Sequence, residues 1–167
     1  MERKKVVHIC YLSEKFYKDH PPNLFPEILK KQNRPYTCLA FKLSSDIFLC
    51  IPYRTKINHK YAYHFICSKR SKMYKSGLDY TKMIIVREEA YLGSGRQVLL
   101  DTDEYVETVR NIKLIRQEAI EFLNQYISHV AGVHMLHSEE FKRRYQFSPL
   151  KYFHEELEMI PLQSLVS

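Results

Sequence analysis

Tyr36-Thr-Cys-Leu-Ala-Phe-Lys-Leu43, then Ser44-Ser-Asp46, then Ile47-Phe-Leu-Cys-Ile51: two β-rich runs joined by a short polar link predict a hairpin. Both runs are nearly continuous in apolar residues, so the hairpin belongs in the core, with Pro52 ending its second strand. Upstream, Val6-Val-His-Ile-Cys-Tyr-Leu12 reads as a first strand. Ser13 precedes Glu14-Lys-Phe-Tyr-Lys18 as the N-cap of a short helix, which His20-Pro-Pro22 stops. Pro26-Glu-Ile-Leu-Lys-Lys31 reads as another short helix with proline in its first position. Downstream, residues 52–60 form a basic loop by composition, and Tyr61 to Cys67 a strand. Ser68 to Ser76 is a second basic loop, Gly77 to Thr81 a turn, and Lys82 to Val86 a buried strand. Gly93-Ser-Gly95 punctuates the approach to a short strand from Gln97 to Leu100.

The rest is helical in pattern. Asp101-Thr-Asp-Glu104 has the form of a capping box, and apolar residues then recur at helical spacing with no proline. One long helix near 103–130 is expected, ending near Gly132, followed by a short helix near 138–145 and a last one from Ser148-Pro149 to Glu158. Strands first and helices later predict an α+β fold, an antiparallel sheet covered by helices. At 167 residues the chain suits a single domain (1–167), with a β-rich half to about residue 100 and a helical half after it. No run approaches the ~20 apolar residues of a membrane helix. The apolar run after the charged N-terminus is too short for a secretory signal, so a cytoplasmic protein is expected.

Charge is divided unevenly. Residues 1–80 carry 16 Lys/Arg against 6 Asp/Glu, while residues 81–167 carry 10 against 13. A basic half points to a polyanion, nucleic acid above all; a well-solvated surface is the plainer alternative. Cys10, Cys38, Cys50 and Cys67 show no paired spacing, so buried reduced thiols are expected rather than a zinc site or disulfides. Gly93-Ser-Gly95 lacks the rest of a phosphate-loop motif, and His134-x-x-His137 has no third ligand at a useful spacing. No metal or other cofactor is expected.

Between residues 28 and 82 only Asp46 and Asp79 are acidic, too few for a two-carboxylate or two-metal centre. Any chemistry there falls to cations, hydroxyls and imidazoles. Twelve Lys/Arg lie in 30–82, interleaved with Tyr36, Tyr53, Tyr61, Tyr63, Tyr74 and Tyr80. Cations hold phosphates and aromatic faces stack unpaired bases, a mix suited to single-stranded or looped RNA; packing along a sheet edge is the alternative for several of these rings. Arg54, Thr55, Lys56 and His59 stand within six residues. Cleaving RNA without a metal needs a base for the ribose 2′-hydroxyl, a cation for the phosphorane and an acid for the leaving 5′-oxygen. Arg suits the second task and His the proton transfers. A DNA partner is not expected, because the 103–130 helix carries Asp103, Glu104, Glu107, Glu118 and Glu121 against three cations.

Tyr11-Leu-Ser-Glu-Lys-Phe-Tyr17, Asn33-Arg-Pro-Tyr36, Ile51-Pro-Tyr-Arg-Thr-Lys56, His59-Lys-Tyr-Ala-Tyr63 and Gly77-Leu-Asp-Tyr-Thr-Lys82, in this order and spacing, resemble the toxins of type III toxin–antitoxin systems. The likeness is to the ToxN/AbiQ endoribonucleases, especially their CptN/TenpN branches, and covers about residues 5–87. Better-known members read Pro-Leu-Thr-Ser where this chain has Pro52-Tyr-Arg-Thr55, and a lysine expected at the start of the preceding strand is absent, with Arg34-Pro35 in that region.

The resemblance implies a strongly bent antiparallel sheet related to the MazF/Kid barrel, and metal-independent RNA cleavage leaving a 2′,3′-cyclic phosphate. It also implies a repeated pseudoknot RNA antitoxin that blocks the groove in a closed protein–RNA assembly, cellular mRNA as substrate, and growth arrest that serves phage defence. On this reading Arg34, Arg54 and Lys82 hold the scissile phosphate and Thr55 orients it. Lys56, His59 or Lys82 moves protons. Tyr36, Tyr53 and Tyr80 meet bases, and Lys60, Lys69, Arg70, Lys72 and Lys75 grip the RNA backbone. A non-catalytic RNA-binding module is the alternative.

Overall fold

The structure is a computed structural model that describes residues 7–30, 36–93, 100–158 and 160. The elements are β1 (Val7–Leu12), α1 (Glu14–Asp19), β2 (Thr37–Lys42), β3 (Phe48–Arg54), β4 (Ala62–His64), α2 (Lys69–Tyr74), β5 (Gly77–Asp79), β6 (Ile84–Val86) and β7 (Leu92–Gly93). After them come α3 (Thr102–Arg110), α4 (Ile112–Val130), α5 (Ser138–Tyr145) and α6 (His154–Glu158). The fold is α+β: among the described residues, an antiparallel seven-stranded sheet with six helices. Strands run in the order β4-β5-β3-β2-β1-β7, and β6 also pairs with β3.

The hairpin forms as its sequence dictates. Cys38 faces Pro52, Leu39 faces Ile51, and Lys42 faces Phe48 across a turn closed by Leu43 N–H donating to Ile47 O. Leu39, Phe41, Leu49 and Ile51 are fully buried, each worth about 1.5–3 kcal/mol of apolar burial. One apolar cluster runs from Cys10 on β1 to Ile160, so both halves of the chain share a core. No helix among the described residues is long and apolar enough to cross a membrane.

Several expectations are corrected. Among the described residues β4 and β7 remain edges, so the sheet is open rather than closed as a MazF/Kid-like barrel. β3 runs through Pro52 to Arg54. The long helix is two: it breaks at Asn111, whose side-chain amide and backbone N–H both donate to Glu107 O. Asn competes with the helix ladder in this way wherever its short amide reaches a nearby carbonyl. The capping box does not form; Glu104 is fully buried beside Arg70 instead of reaching back to Asp101. Pro26 to Lys30 is not a helix but a turn at Pro26 and Glu27 followed by irregular chain, where Glu27 bonds Lys151 and Tyr152 through its carboxylate and Lys82 through its carbonyl; Lys31 lies outside the described residues. Ser68 to Ser76 contains helix α2, capped by the Ser68 hydroxyl, which accepts from Ser71 N–H at 2.9 Å. The turn expected at Gly77 to Thr81 is mostly β5. The last helix is a 3₁₀ turn, Pro149–Tyr152, followed by α6. Gly95 and the strand from Gln97 fall outside the described residues, which resume at Leu100.

Candidate active site

Pro52 interrupts one side of β3. Upstream of it, Phe48 to Cys50 pair with Val86 to Ile84 on β6; downstream, Tyr53 and Arg54 pair with Leu78 and Gly77 on β5. Between these ladders the neighbouring chain leaves the sheet in a 3₁₀ turn, Tyr80–Lys82. Proline has no N–H to offer a ladder, and the break lies at its position. Asp79, Thr81 and Lys82 are thereby gathered beside the end of β3, where Arg54 stands.

Asp79 has no exposed surface, yet its carboxylate is fully engaged. Arg54 Nη1 donates to Oδ2 at 2.5 Å. Thr81 N–H and its hydroxyl donate to Oδ1 at 2.9 and 2.6 Å. His59 Nε2 lies 3.2 Å from Oδ1 and 3.4 Å from the Thr81 hydroxyl. Burial alone pushes the Asp79 carboxyl up, but hydrogen bonds from His59, Thr81 and Arg54 outweigh it and hold the group below the usual carboxylate range. His59 Nδ1 accepts from Tyr61 N–H at 3.1 Å. That bond leaves Nε2 as the protonated nitrogen, directed at Asp79.

Lys82 closes the cluster. Its ammonium donates to Phe147 O at 2.7 Å and to Glu27 O at 3.3 Å. Burial, and after it the nearby Arg54 guanidinium, lowers its pKa. With His59 neutral, Arg54, Asp79 and Lys82 sum to one net positive charge. Only one of the five guanidinium N–H donors of Arg54 is used by Asp79, and its side chain keeps 29% of its surface in water. Two cations within electrostatic reach of each other, Arg54 and Lys82, suit an oxyanion.

The cluster therefore gathers three of the expected residues: Arg54 and His59 on Asp79, and Lys82 within electrostatic reach of both Arg54 and Asp79. Thr55 is half-buried just beyond β3, and no side-chain hydrogen bond engages its hydroxyl among the described residues. Lys56 adopts a left-handed backbone (φ 57°) and its N–H donates to Tyr74 O, leaving an exposed side chain. Arg34 lies outside the described residues. Tyr36 is half-buried against the core.

Tyr53 and Tyr80 are corrected. Each is 4% exposed, so neither ring is open to a base. Tyr53 stacks on Phe65 and bonds Thr108, and Tyr80 donates to Glu118 on α4. Arg70 pairs through Nε with buried Glu104 at 3.2 Å, close enough to pair in charge but not aligned as a hydrogen bond, and keeps 37% of its side chain exposed. Lys69, Lys72 and Lys75 are exposed on or beside α2, and Lys60 lies over the Tyr61 ring.

Cys10, Cys38 and Cys50 are buried free thiols, while Cys67 is exposed, because β4 ends three residues before it. No group of three or more His, Cys, Asp or Glu side chains is placed to hold a metal ion among the described residues. His137 instead caps α5, accepting from Glu139 N–H. Asp79 and Thr81 are the functional candidates that sequence reasoning passed over. The available signal was Asp79-Tyr-Thr81, an Asp followed two residues later by a hydroxyl in the only acidic position between Asp46 and Glu88. No protein family, curated protein or solved structure gives a match to this chain.

Proposed function

We propose that this chain is a metal-independent endoribonuclease, the toxin of a type III toxin–antitoxin system, held inactive by a repeated pseudoknot RNA and acting on cellular mRNA in the cytoplasm. The observation that carries the reading is the cluster at the end of β3, where Arg54 and His59 meet one buried carboxylate and Lys82 lies within electrostatic reach of Arg54 and Asp79. The sequence resemblance and the basic first half support it independently.

The reaction balances with protein groups alone. A base removes the 2′-hydroxyl proton, and the 2′-oxygen forms a bond to phosphorus. Arg54 and Lys82 neutralise the phosphorane, with Thr55 orienting a non-bridging oxygen. The bond from phosphorus to the 5′-oxygen breaks, and an acid protonates that oxygen, leaving a 2′,3′-cyclic phosphate and a 5′-hydroxyl. Lys82 suits the acid role, because an ammonium whose pKa is lowered gives up its proton more readily. Lys56 and His59 are the candidates for the base. Lys69, Lys72 and Lys75, exposed on or beside α2, together with Lys60, supply cations for the antitoxin backbone. The bent sheet of the MazF/Kid toxins remains the proposed architectural relative, in an unclosed form.

One observation favours the alternative, a non-catalytic RNA-binding module. Both His59 nitrogens are engaged, Nδ1 by Tyr61 N–H and Nε2 by Asp79, so His59 acts as a base only after releasing Tyr61. Expression in a bacterial host separates the readings. The intact chain arrests growth, and Arg54→Ala and Thr55→Ala abolish arrest without unfolding the protein, although Arg54→Ala lowers the melting temperature because it takes a donor from buried Asp79. If both variants arrest growth as strongly as the wild type, the pocket is not the active site.

A further inference from the structure

Eight of the nine phenylalanines are buried or half-buried; Phe147, at 65% exposure, is the exception. Its backbone is fixed on both sides. The carbonyl accepts from Lys82 Nζ at 2.7 Å. The next residue, Ser148, is buried, donates its N–H to Tyr145 O and caps the Pro149–Tyr152 turn through its hydroxyl. The ring thus springs from a held Cα whose own carbonyl touches a pocket cation. No aromatic ring lies against it among the described residues, although α4 and α5 carry a dense aromatic cluster nearby around Phe122, Tyr126, Phe141 and Tyr145. An exposed phenyl ring has an apolar cost in water, and this one belongs to a residue whose main chain contacts Lys82.

We propose that Phe147 is the stacking platform for an unpaired nucleobase next to the phosphate held by Arg54 and Lys82. Sequence reasoning assigned base contacts to tyrosines of the basic half, two of which are in the core; Phe147 comes from the acidic half and reaches the pocket only through the fold. A flat ring with no polar atom stacks any base, so it contributes affinity and register along the strand without selecting one base by hydrogen bonds. The inference rests on the RNA-cleaving reading of the pocket and names the part of the substrate that lies outside the cationic centre.

The test uses the full chain and fluorescein-labelled 2′-O-methyl RNA oligomers of mixed sequence, which cannot cyclise, against the same backbone built of abasic nucleotides. The wild type binds the base-bearing oligomer about tenfold more tightly than the abasic one, the size of one base–aromatic stack. Phe147→Ala removes that difference and leaves abasic binding unchanged, and Phe147→Trp restores it. Phe147→Leu, apolar but without a π face, behaves as Phe147→Ala. Equal binding by wild type and Phe147→Ala overturns the stacking role and leaves the ring as a protein-docking residue, and a Phe147→Leu variant matching the wild type overturns it in favour of plain apolar contact. A wild type that binds neither oligomer overturns the RNA reading itself, so the two failures are distinct.

Discussion

Asp79 draws four donors onto two oxygens in a place with no exposed surface, so its ionised form is the one the fold stabilises. Its folded pKa is depressed. The stability it contributes is therefore present at neutral pH and is lost as pH falls through the lowered carboxyl range. Asp79→Asn keeps the shape and removes the charge. We expect it to destabilise the protein by about 3 kcal/mol at pH 7, as for a buried charged group losing charge-assisted partners, and to free Arg54 and His59 from their present orientations. The gap between variant and wild type should shrink as pH falls below the ordinary carboxylate range, measured as urea midpoints from pH 7 to 3. A gap constant across that range would show that Asp79 carries no depressed pKa. Arg54, His59 and Lys82 were legible in the sequence because they are reactive types in a stretch nearly free of acid. Asp79 was not, because nothing local says that residues 25 apart meet; the register Arg54 to Gly77 decides it. Tyr53 and Tyr80 were misread for a related reason: in strands and turns buried on both faces, no alternation distinguishes a ring pointing inward from one pointing out.

The elements that hold the pocket are short, and their placement depends on close backbone approach. Gly77 opens β5, and a Cβ there would stand 2.2 Å from Tyr63 O, a main-chain atom of β4 that has no freedom to move away. Gly77→Ala should therefore destabilise the fold by about 1–3 kcal/mol, read as a lowered melting temperature, and should cut cleavage disproportionately because β5 leads directly into Asp79. A fully active variant with an unchanged melting temperature would contradict this packing. The hairpin β2–β3, the Ser13-capped α1 and α5 were readable from pattern and capping residues alone. The break at Asn111 and the helix within the basic loop were not. The first turns on one amide reaching Glu107 O, and the second on Ser68 capping a helix that buries no residue of its own, so hydrophobic periodicity is silent there. Glu27, expected in a helix, was claimed by contacts more than a hundred residues away.

At the scale of the whole molecule, the acidic half completes the site that the basic half begins. α4 sets Glu118 and Phe122 against Tyr80, and the segment after α5 brings Phe147 O to Lys82. The α+β class followed from the order of strands and helices; the open sheet edge and the meeting of distant segments did not, since they are properties of the closed chain. The central claim is that this pocket breaks ribose–phosphate chains with its own side chains. Its most direct test is incubation of purified protein with total RNA in excess EDTA, with the end groups of the products mapped. New cuts bearing 2′,3′-cyclic phosphate and 5′-hydroxyl ends are expected, absent with Arg54→Ala. RNA that stays intact in EDTA while remaining bound to the protein would contradict it and leave a binding module in its place.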